Sequence, residues 1–278
     1  MEKNALHISC IDSNAFYSCY TLSRVIEKQK RERKFTIVTS LIESKYANEA
    51  IPDELIPENV SPSVYRVLSN PRPQWRGRLH RIAGPLTIIA GVFLALSAPA
   101  GRERIGVAIF TAGAFAMFAT SGIVHLRRWK ISLLEILFRL DHAAIFLMIA
   151  CGASSLALIA MDGTPAKIML WSVWIGAGIG ILLRVLPFHP PKGLMNTLFI
   201  TLGCLPLVVA PSLFRAIDLF PASFIVIEGI FYIGGALMLG AQWPKLKPKV
   251  FGYHEVWHSL VVLAVTAHFG AVILILHY

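Results

Sequence analysis

The amino-acid sequence predicts an all-α integral membrane protein built as a bundle of seven transmembrane helices. Of its 278 residues, 55% are hydrophobic and only 15% are charged, whereas an ordinary soluble domain has roughly 45 to 50% apolar and about 25% charged residues. The apolar residues are gathered into stretches of about twenty, and a helix of that length crosses a hydrocarbon core of about 30 Å. Because the connections between the stretches are short, a compact helical bundle in lipid is the favoured architecture.

This pattern divides the chain into a polar N-terminal extension, residues 1–60, and a membrane domain, residues 61–278. The extension has a charged run over residues 27–34 and an acidic, proline-containing end that is typical of a linker. We expect it to be a poorly ordered cytoplasmic segment. The seven spans of the membrane domain are predicted at residues 82–99, 105–126, 142–161, 168–187, 193–213, 221–242 and 251–276.

The net charge of +10 would also suit a nucleic-acid-binding protein, so its position along the chain matters. Residues 1–60 carry eight Lys and Arg against nine Asp and Glu, and the remaining residues carry eighteen against seven. The excess therefore lies in short loops at the span ends, where Lys and Arg meet phospholipid head groups. We expect membrane lipids, and no nucleic acid, as partners.

The distribution of Lys and Arg between alternate loops predicts the orientation of the bundle. The segment before the first span and the loops after the second, fourth and sixth spans carry thirteen Lys and Arg, whereas the alternate loops carry four. Because the richer loops face the cytoplasm, we expect a cytoplasmic N-terminus. An odd number of spans then places the C-terminus outside.

Four residues that could bind or assist a metal ion fall at one depth of the predicted bundle. His125 ends the second span, Asp141 begins the third, and His254 and His258 begin the seventh. The last two histidines are four residues apart, so on a helix both imidazoles project from one face and can share a metal ion. Three histidines with an open fourth position are typical of catalytic zinc sites. Imidazole also suits iron, copper and nickel, so the identity of the metal stays open.

Asp141 and Ser121 are the candidate catalytic residues. Asp141 lies at the lipid boundary, where an ionised carboxylate needs a partner, and it could act as general base toward a water at the metal. Ser121 precedes His125 by one helical turn and could hold that water or orient a ligand. Two alternatives stay open: the histidines are interfacial anchors, or Asp141 pairs with Arg139 or Arg128.

Other ionisable residues near the spans receive no catalytic role. Glu255 lies between the two histidines of the seventh span, and we expect it to face head groups or a basic loop. Glu228 is an intramembrane carboxylate to which the sequence assigns no role. The remaining histidines lack a comparable partner at the depth of the metal site and are predicted to be structural: His80, His142, His189, His268 and His277.

The motifs of the predicted metal site resemble those of the hemolysin III proteins of bacteria, which are related to the progestin and adipoQ receptors of eukaryotes. The resemblance covers about residues 75–276. The matching motifs are Ser121-x3-His125, Asp141-His142 and His254-x3-His258. Many members also carry a Glu and an Asn ahead of a His in the first span, where this sequence matches only at His80. The resemblance implies a seven-helix fold, a cytoplasmic N-terminus and a zinc ion bound by the three motif histidines.

The resemblance also implies a function. In the adiponectin receptors of this superfamily the matching Ser and Asp stand near the zinc ion, and hydrolysis of the ceramide amide bond is attributed to that site; alkaline ceramidases are more distant relatives. We therefore expect a zinc-dependent hydrolase acting on a lipid amide or ester bond, with a part in lipid homeostasis of the bacterial inner membrane. Two other hypotheses stay open: a sensor or receptor of membrane state with a structural zinc, and, ranked last, a pore-forming hemolysin. The sequence leaves the lipid and the oligomeric state open.

Overall fold

A computed structural model of the chain describes residues 13–43, 46, 48–186 and 193–277. The regular structure of these residues is helical, and no β-strand occurs among them. The predicted all-α class is therefore confirmed. The first twelve residues and residues 187–192, which include His189, lie outside the described part of the chain.

The described helices cross the membrane seven times. In chain order they are α1 (Ser13–Glu43), α2 (Pro62–Ser69), α3 (Arg78–Ser97), α4 (Arg102–Val124), α5 (Ile131–Ala160), α6 (Gly163–Val185), α7 (Leu194–Cys204), α8 (Ala210–Ala216), α9 (Leu219–Ala241) and α10 (Tyr253–His277). By length and apolarity α3, α4, α5, α6, α9 and α10 each form one transmembrane span, and α7 with α8 forms another. The chain is therefore a multi-pass integral membrane protein, as predicted.

The third span begins earlier than the sequence predicts. α5 starts at Ile131 rather than at residue 142. Its first turns interleave buried apolar residues, such as Leu134 and Phe138, with Glu135 and Arg139. These charges lower the local hydropathy, but they do not end the helix, because an amphipathic helix needs only one apolar face.

The fifth span is not one continuous α-helix. Between α7 and α8 the chain forms a 3-10 turn over Leu205–Val209. Pro206 lacks the amide hydrogen that an α-helix needs at this position, and its ring crowds the preceding turn. The span predicted at residues 193–213 therefore exists, but it is broken near its middle.

The spans pack mainly against their neighbours in sequence, and α10 closes the bundle by contacting α3, α4 and α5. Inside, large side chains such as Phe110 and Phe118 are fully buried. Outside, Phe93 and Leu96 of α3 are among many exposed apolar residues, as a surface in contact with lipid requires.

The segment that precedes the first span packs against the ends of α4 and α5. The apolar cluster there consists of Val38, Ile51, Ile56, Val64, Leu68, Val124, Ile131, Leu134 and Phe138. Ile51 and Ile56 are only 2% and 3% exposed, although they belong to the region predicted as a polar extension. The division of the chain at residue 60 stays a prediction, but residues 51–56 belong to the packed structure.

We expect Ile56→Ala to lower the thermal unfolding midpoint of the detergent-solubilised protein. Removing buried methylene groups from a packed cluster costs about 2–5 kcal/mol, including the cavity left behind. Val25→Ala, at a position that is 46% exposed, is the matched control and should leave the midpoint unchanged. Equal midpoints for Ile56→Ala and wild type would mean that residues 51–56 do not pack on the membrane domain.

Candidate metal centre

The three predicted metal ligands, His125, His254 and His258, meet at one end of the bundle. Their ligand nitrogens all lie within 4.8 Å of one another. His125 follows the last residue of α4, whereas His254 and His258 lie in the first two turns of α10. All three are buried or half-buried. We call these residues the histidine cluster and this end of the bundle the histidine end.

The spacing of the cluster fits a single metal ion. The Nε2 atoms of His125 and His254 are 3.1 Å apart. Two nitrogens that bind one zinc ion tetrahedrally, each at about 2.0–2.1 Å, lie about 3.3 Å apart. Three imidazoles from two chain segments therefore supply a donor set for one divalent ion, provided that each imidazole is neutral.

Aromatic contacts fix the orientation of the imidazole rings. His80 of α3 stacks on His258, with ring centroids 3.9 Å apart and planes 9° from parallel. Phe118 meets the His80 ring edge-on at 4.9 Å, and Phe138 meets the His125 ring edge-on at 5.9 Å. These contacts hold the rings without contributing further donor atoms to the cluster.

The prediction that His80 has no partner at this depth is corrected by the structure. His80 is 2% exposed and lies directly against the histidine cluster. His80 lies in the first turn of α3, at the end of the bundle where the cluster lies. This position in the sequence could have predicted that His80 lies near the cluster. The spacing of residues within α3 could not have predicted this contact, because the ring on which His80 stacks belongs to α10.

Glu255, between the two histidines of α10, joins two segments at the histidine end. Its carboxylate accepts hydrogen bonds from the backbone N–H of Gly252 at 2.8 Å and from Nε of Arg76 at 2.6 Å. The first bond caps the start of α10, and the second ties α10 to the segment before α3. Of the two environments predicted for Glu255, the structure has the basic one, and the side chain is buried.

Hydrogen bonds to the backbone carbonyl of His125 and to that of the next residue hold His125 in place. Arg72 Nη2 donates hydrogen bonds to the carbonyl oxygens of His125 and Leu126, each at 2.7 Å. These carbonyls follow the end of α4, where a helix leaves acceptors unsatisfied. Burial, together with the nearby Arg76 guanidinium, lowers the pKa of Arg72 from its ordinary value, and the side chain remains a cation at neutral pH.

Gly77 allows the segment before α3 to approach His125 closely. Its φ of +73° lies in the left-handed region that glycine adopts readily. A Cβ atom at this position would lie only 2.6 Å from the Cβ of His125. Any other residue at position 77 would therefore be strained and would also displace His125.

The arginines proposed as alternative partners of Asp141 are engaged elsewhere. Arg139 donates to the carbonyl oxygens of Val185 and Leu186, at 3.1 Å and 2.6 Å. Arg128 donates to three backbone carbonyls, those of Tyr46, Glu49 and Asn70. Burial lowers the pKa of Arg128 to about 10, so this side chain is still charged at neutral pH.

Ser121 and Asp141 lie in the same cavity as the histidines of α10. Both side chains are buried, and the Ser121 hydroxyl lies beside the Asp141 carboxylate. The cavity has a volume of about 590 Å³ and is also lined by His254 and His258, a size within the range of about 300–1,000 Å³ for small-molecule sites. All five predicted site residues thus lie at the histidine end.

The cavity extends from the histidine end into the apolar interior of the bundle. Ser61 and Arg66 line it at the histidine end, and Leu156 and Met169 line it toward the opposite end of the bundle. Arg184 of α6 is a further lining residue and places a positive charge near Asp141. The cavity therefore joins a polar, histidine-rich region to a long apolar one.

Fold and site together define a seven-helix integral membrane protein with a buried three-histidine cluster that could hold a metal ion. The sequence matches the family model described as "Haemolysin-III related" over residues 68–269. The chain belongs to this family. The resemblance inferred from the motifs is therefore confirmed.

Individual relatives come from distant organisms. The chain is similar to the Hemolysin-3 homolog of Bacillus subtilis, with 25% identity over 197 residues that cover 70% of this chain and 89% of the relative. It is similar to the ADIPOR-like receptor IZH1 of Eremothecium gossypii, with 25% identity over 205 residues, 66% of this chain and 64% of the relative. It is also similar to the monocyte to macrophage differentiation factor of Homo sapiens, with 26% identity over 174 residues, 61% of this chain and 70% of the relative.

We expect Gly77→Ala to lower both the metal content and the thermal stability of the purified protein, because the new methyl group would push His125 out of the cluster. Metal content is measured by mass spectrometry and stability by thermal unfolding. Gly163→Ala is the matched control: Gly163 also has a positive φ, of +64°, but a Cβ there would meet nothing within 4 Å. A Gly77→Ala protein with the metal content of Gly163→Ala would contradict this account of the close approach.

Proposed function

We propose that the protein is a zinc-dependent hydrolase that cleaves an amide or ester bond of a membrane lipid. One observation carries the proposal: histidines of the cluster, Asp141 and Ser121 line one cavity whose remaining wall is mostly apolar. An apolar cavity with a few converging polar groups is the usual form of a small-molecule site. A lipid chain would fill the apolar part, and the scissile bond would lie at the histidine end.

The chemistry follows from the residues at that end. A zinc ion bound by the histidine cluster would polarise the lipid carbonyl and lower the pKa of a water molecule to about 7. In this proposal the Asp141 carboxylate accepts a proton from the attacking water, and Ser121 positions that water by hydrogen bonding. Water oxygen adds to the carbonyl carbon, the C–N or C–O bond breaks, and Asp141 returns the proton to the leaving amine or alcohol.

We further propose that the histidine end faces the cytoplasm and that the protein lies in the plasma membrane of a bacterium. The distribution of Lys and Arg supports this orientation, since the loops at the histidine end carry most of them. The similarity to a Bacillus subtilis protein supports the bacterial setting. The lipid head group would then belong to the cytoplasmic leaflet.

A second candidate function is that of a membrane receptor or sensor with a structural metal ion. Two observations favour it: one relative is named a receptor, and the histidine cluster joins the end of α4 to the start of α10, as a structural metal would. For such a protein, His258→Ala would lower stability without the loss of any lipid product. Lipid profiles of a deletion strain separate the two functions, because only a hydrolase leaves its substrate to accumulate.

We expect the purified wild-type protein to contain about one zinc ion per chain, as a single three-histidine site implies. The double variant His254→Ala/His258→Ala should lose it, as measured by mass spectrometry of the metal content. His277→Ala, in the last turn of the same helix, is the matched control and should retain the metal. Well-folded wild-type protein without bound metal would refute both candidate functions.

We expect Asp141→Asn to retain zinc but to lose about 10²–10⁴-fold in turnover, the usual contribution of a general base. The assay follows the release of fatty acid from amide and ester lipids by mass spectrometry. Asp162→Asn is the control, since this carboxylate pairs with Arg102 at the opposite end of the bundle. Turnover equal to wild type in Asp141→Asn would remove the carboxylate from the mechanism.

A further inference from the structure

A second group of polar side chains lines the same cavity, far from the histidine cluster. Glu228 and Tyr232 lie one turn apart on α9, so they share a face of that helix, and His268 lies opposite them on α10. His268 Nδ1 and Glu228 Oε2 are 2.9 Å apart. All three residues line the cavity, and we call them the Glu228 group.

The Glu228 group has unused hydrogen-bonding capacity. The Tyr232 hydroxyl and His268 Nε2 are buried and have no hydrogen-bond partner in the described part of the chain. Glu228 donates nothing as a carboxylate and accepts one bond from His268, although its two oxygens offer about four acceptor sites. The Glu228 side chain is 14% exposed, whereas that of His268 is 1% exposed.

The depth of the group makes these unused capacities costly. His268 follows His258 by ten residues on one continuous helix, which places it about 15 Å further along the axis. This distance is about half of a 30 Å hydrocarbon core. Polar groups at that depth are costly in hydrocarbon, and each one without a partner is unfavourable. A pair that only joined α9 to α10 would not require the Tyr232 hydroxyl.

The cavity between the two polar sites has an apolar lining that includes Met148, Ile149 and Val261. This length of apolar wall suits a hydrocarbon chain. A chain whose head group lies at the histidine cluster would therefore bring its middle portion to the Glu228 group.

We propose that the Glu228 group binds a hydroxyl substituent in the middle portion of a lipid chain. The hydroxyl donates a hydrogen bond to the Glu228 carboxylate and accepts one from the Tyr232 hydroxyl, so that both protein groups gain a partner. The ligand class is thus a mid-chain hydroxylated fatty acid or its derivatives. This inference takes one element from the proposed function, namely that the lipid head group lies at the histidine cluster.

The test is a binding titration on the purified full-length protein in lipid nanodiscs. Three probes are compared: octadecanoic acid, its mid-chain hydroxylated analogue, and the isomer whose hydroxyl is next to the carboxyl group. A hydrogen bond to a charged partner should make the mid-chain analogue bind about tenfold more tightly than the other two acids. Equal affinities for the three acids, or binding of none of them, would overturn the proposal.

Substitutions in the Glu228 group test whether this group causes the preference for the mid-chain hydroxylated acid. Tyr232→Phe removes only the hydroxyl and should reduce the tenfold preference toward onefold, and Glu228→Gln should reduce it because the bond is no longer assisted by charge. Tyr65→Phe, at an exposed position outside the cavity, is the matched control and should keep the preference. Thermal unfolding of each variant shows that it is folded, and a preference that persists in both folded variants would overturn the assignment.

The binding measurement does not depend on turnover. The proposed hydrolase and the proposed hydroxyl site can therefore be refuted independently of each other. If the protein hydrolyses no lipid but prefers the mid-chain analogue, the proposed hydrolase is refuted and the Glu228 group still binds a hydroxylated chain. If lipid is hydrolysed while the three acids bind equally, the hydrolase stands and the inference about the Glu228 group is refuted.

Discussion

The histidine cluster depends on three chain segments being held together at one end of the bundle, and arginine side chains supply most of that connection. Arg72 bonds the backbone after α4, and Arg76 bonds the carboxylate that caps α10. The segment before α3 also donates backbone hydrogen bonds from Gln74 and Trp75 to the segment before α10. Hydrogen bonds between protein groups therefore hold together the chain segments that carry the three histidines.

This layer of polar contacts supplies what the transmembrane helices alone do not. Between helices in lipid there is little hydrophobic driving force, because lipid tails are as apolar as the side chains they replace. Packing of the spans can therefore leave the register of α4 against α10 weakly specified. Charge-assisted hydrogen bonds have short, directional geometry. Arg72 ties the end of α4, and Arg76 ties the start of α10, to the same segment before α3.

The sequence predicts those parts of the structure that depend on a single continuous segment of the chain. Each span needs a run of apolar residues, and the His254 and His258 pair needs only helical spacing. The early start of α5 was missed because Glu135 and Arg139 reduce hydropathy in a helix whose other face is apolar. His80 was missed for a different reason: its stacking contact joins the first span to the last. The cavity could not be predicted from the sequence either, because residues from several helices line it.

Two polar sites at different depths constrain a ligand more than either does alone. A metal ion at the histidine cluster would set the kind of bond that is cleaved, but many lipids present an amide or ester at the membrane surface. The Glu228 group lies about 15 Å deeper along α10, in a region where polar groups are unfavourable unless they are satisfied. A short or purely hydrocarbon ligand would leave the Tyr232 hydroxyl unsatisfied, so in this proposal the deep site would favour a chain that carries a mid-chain hydroxyl. Selection among membrane lipids would then come from the chain rather than from the head group.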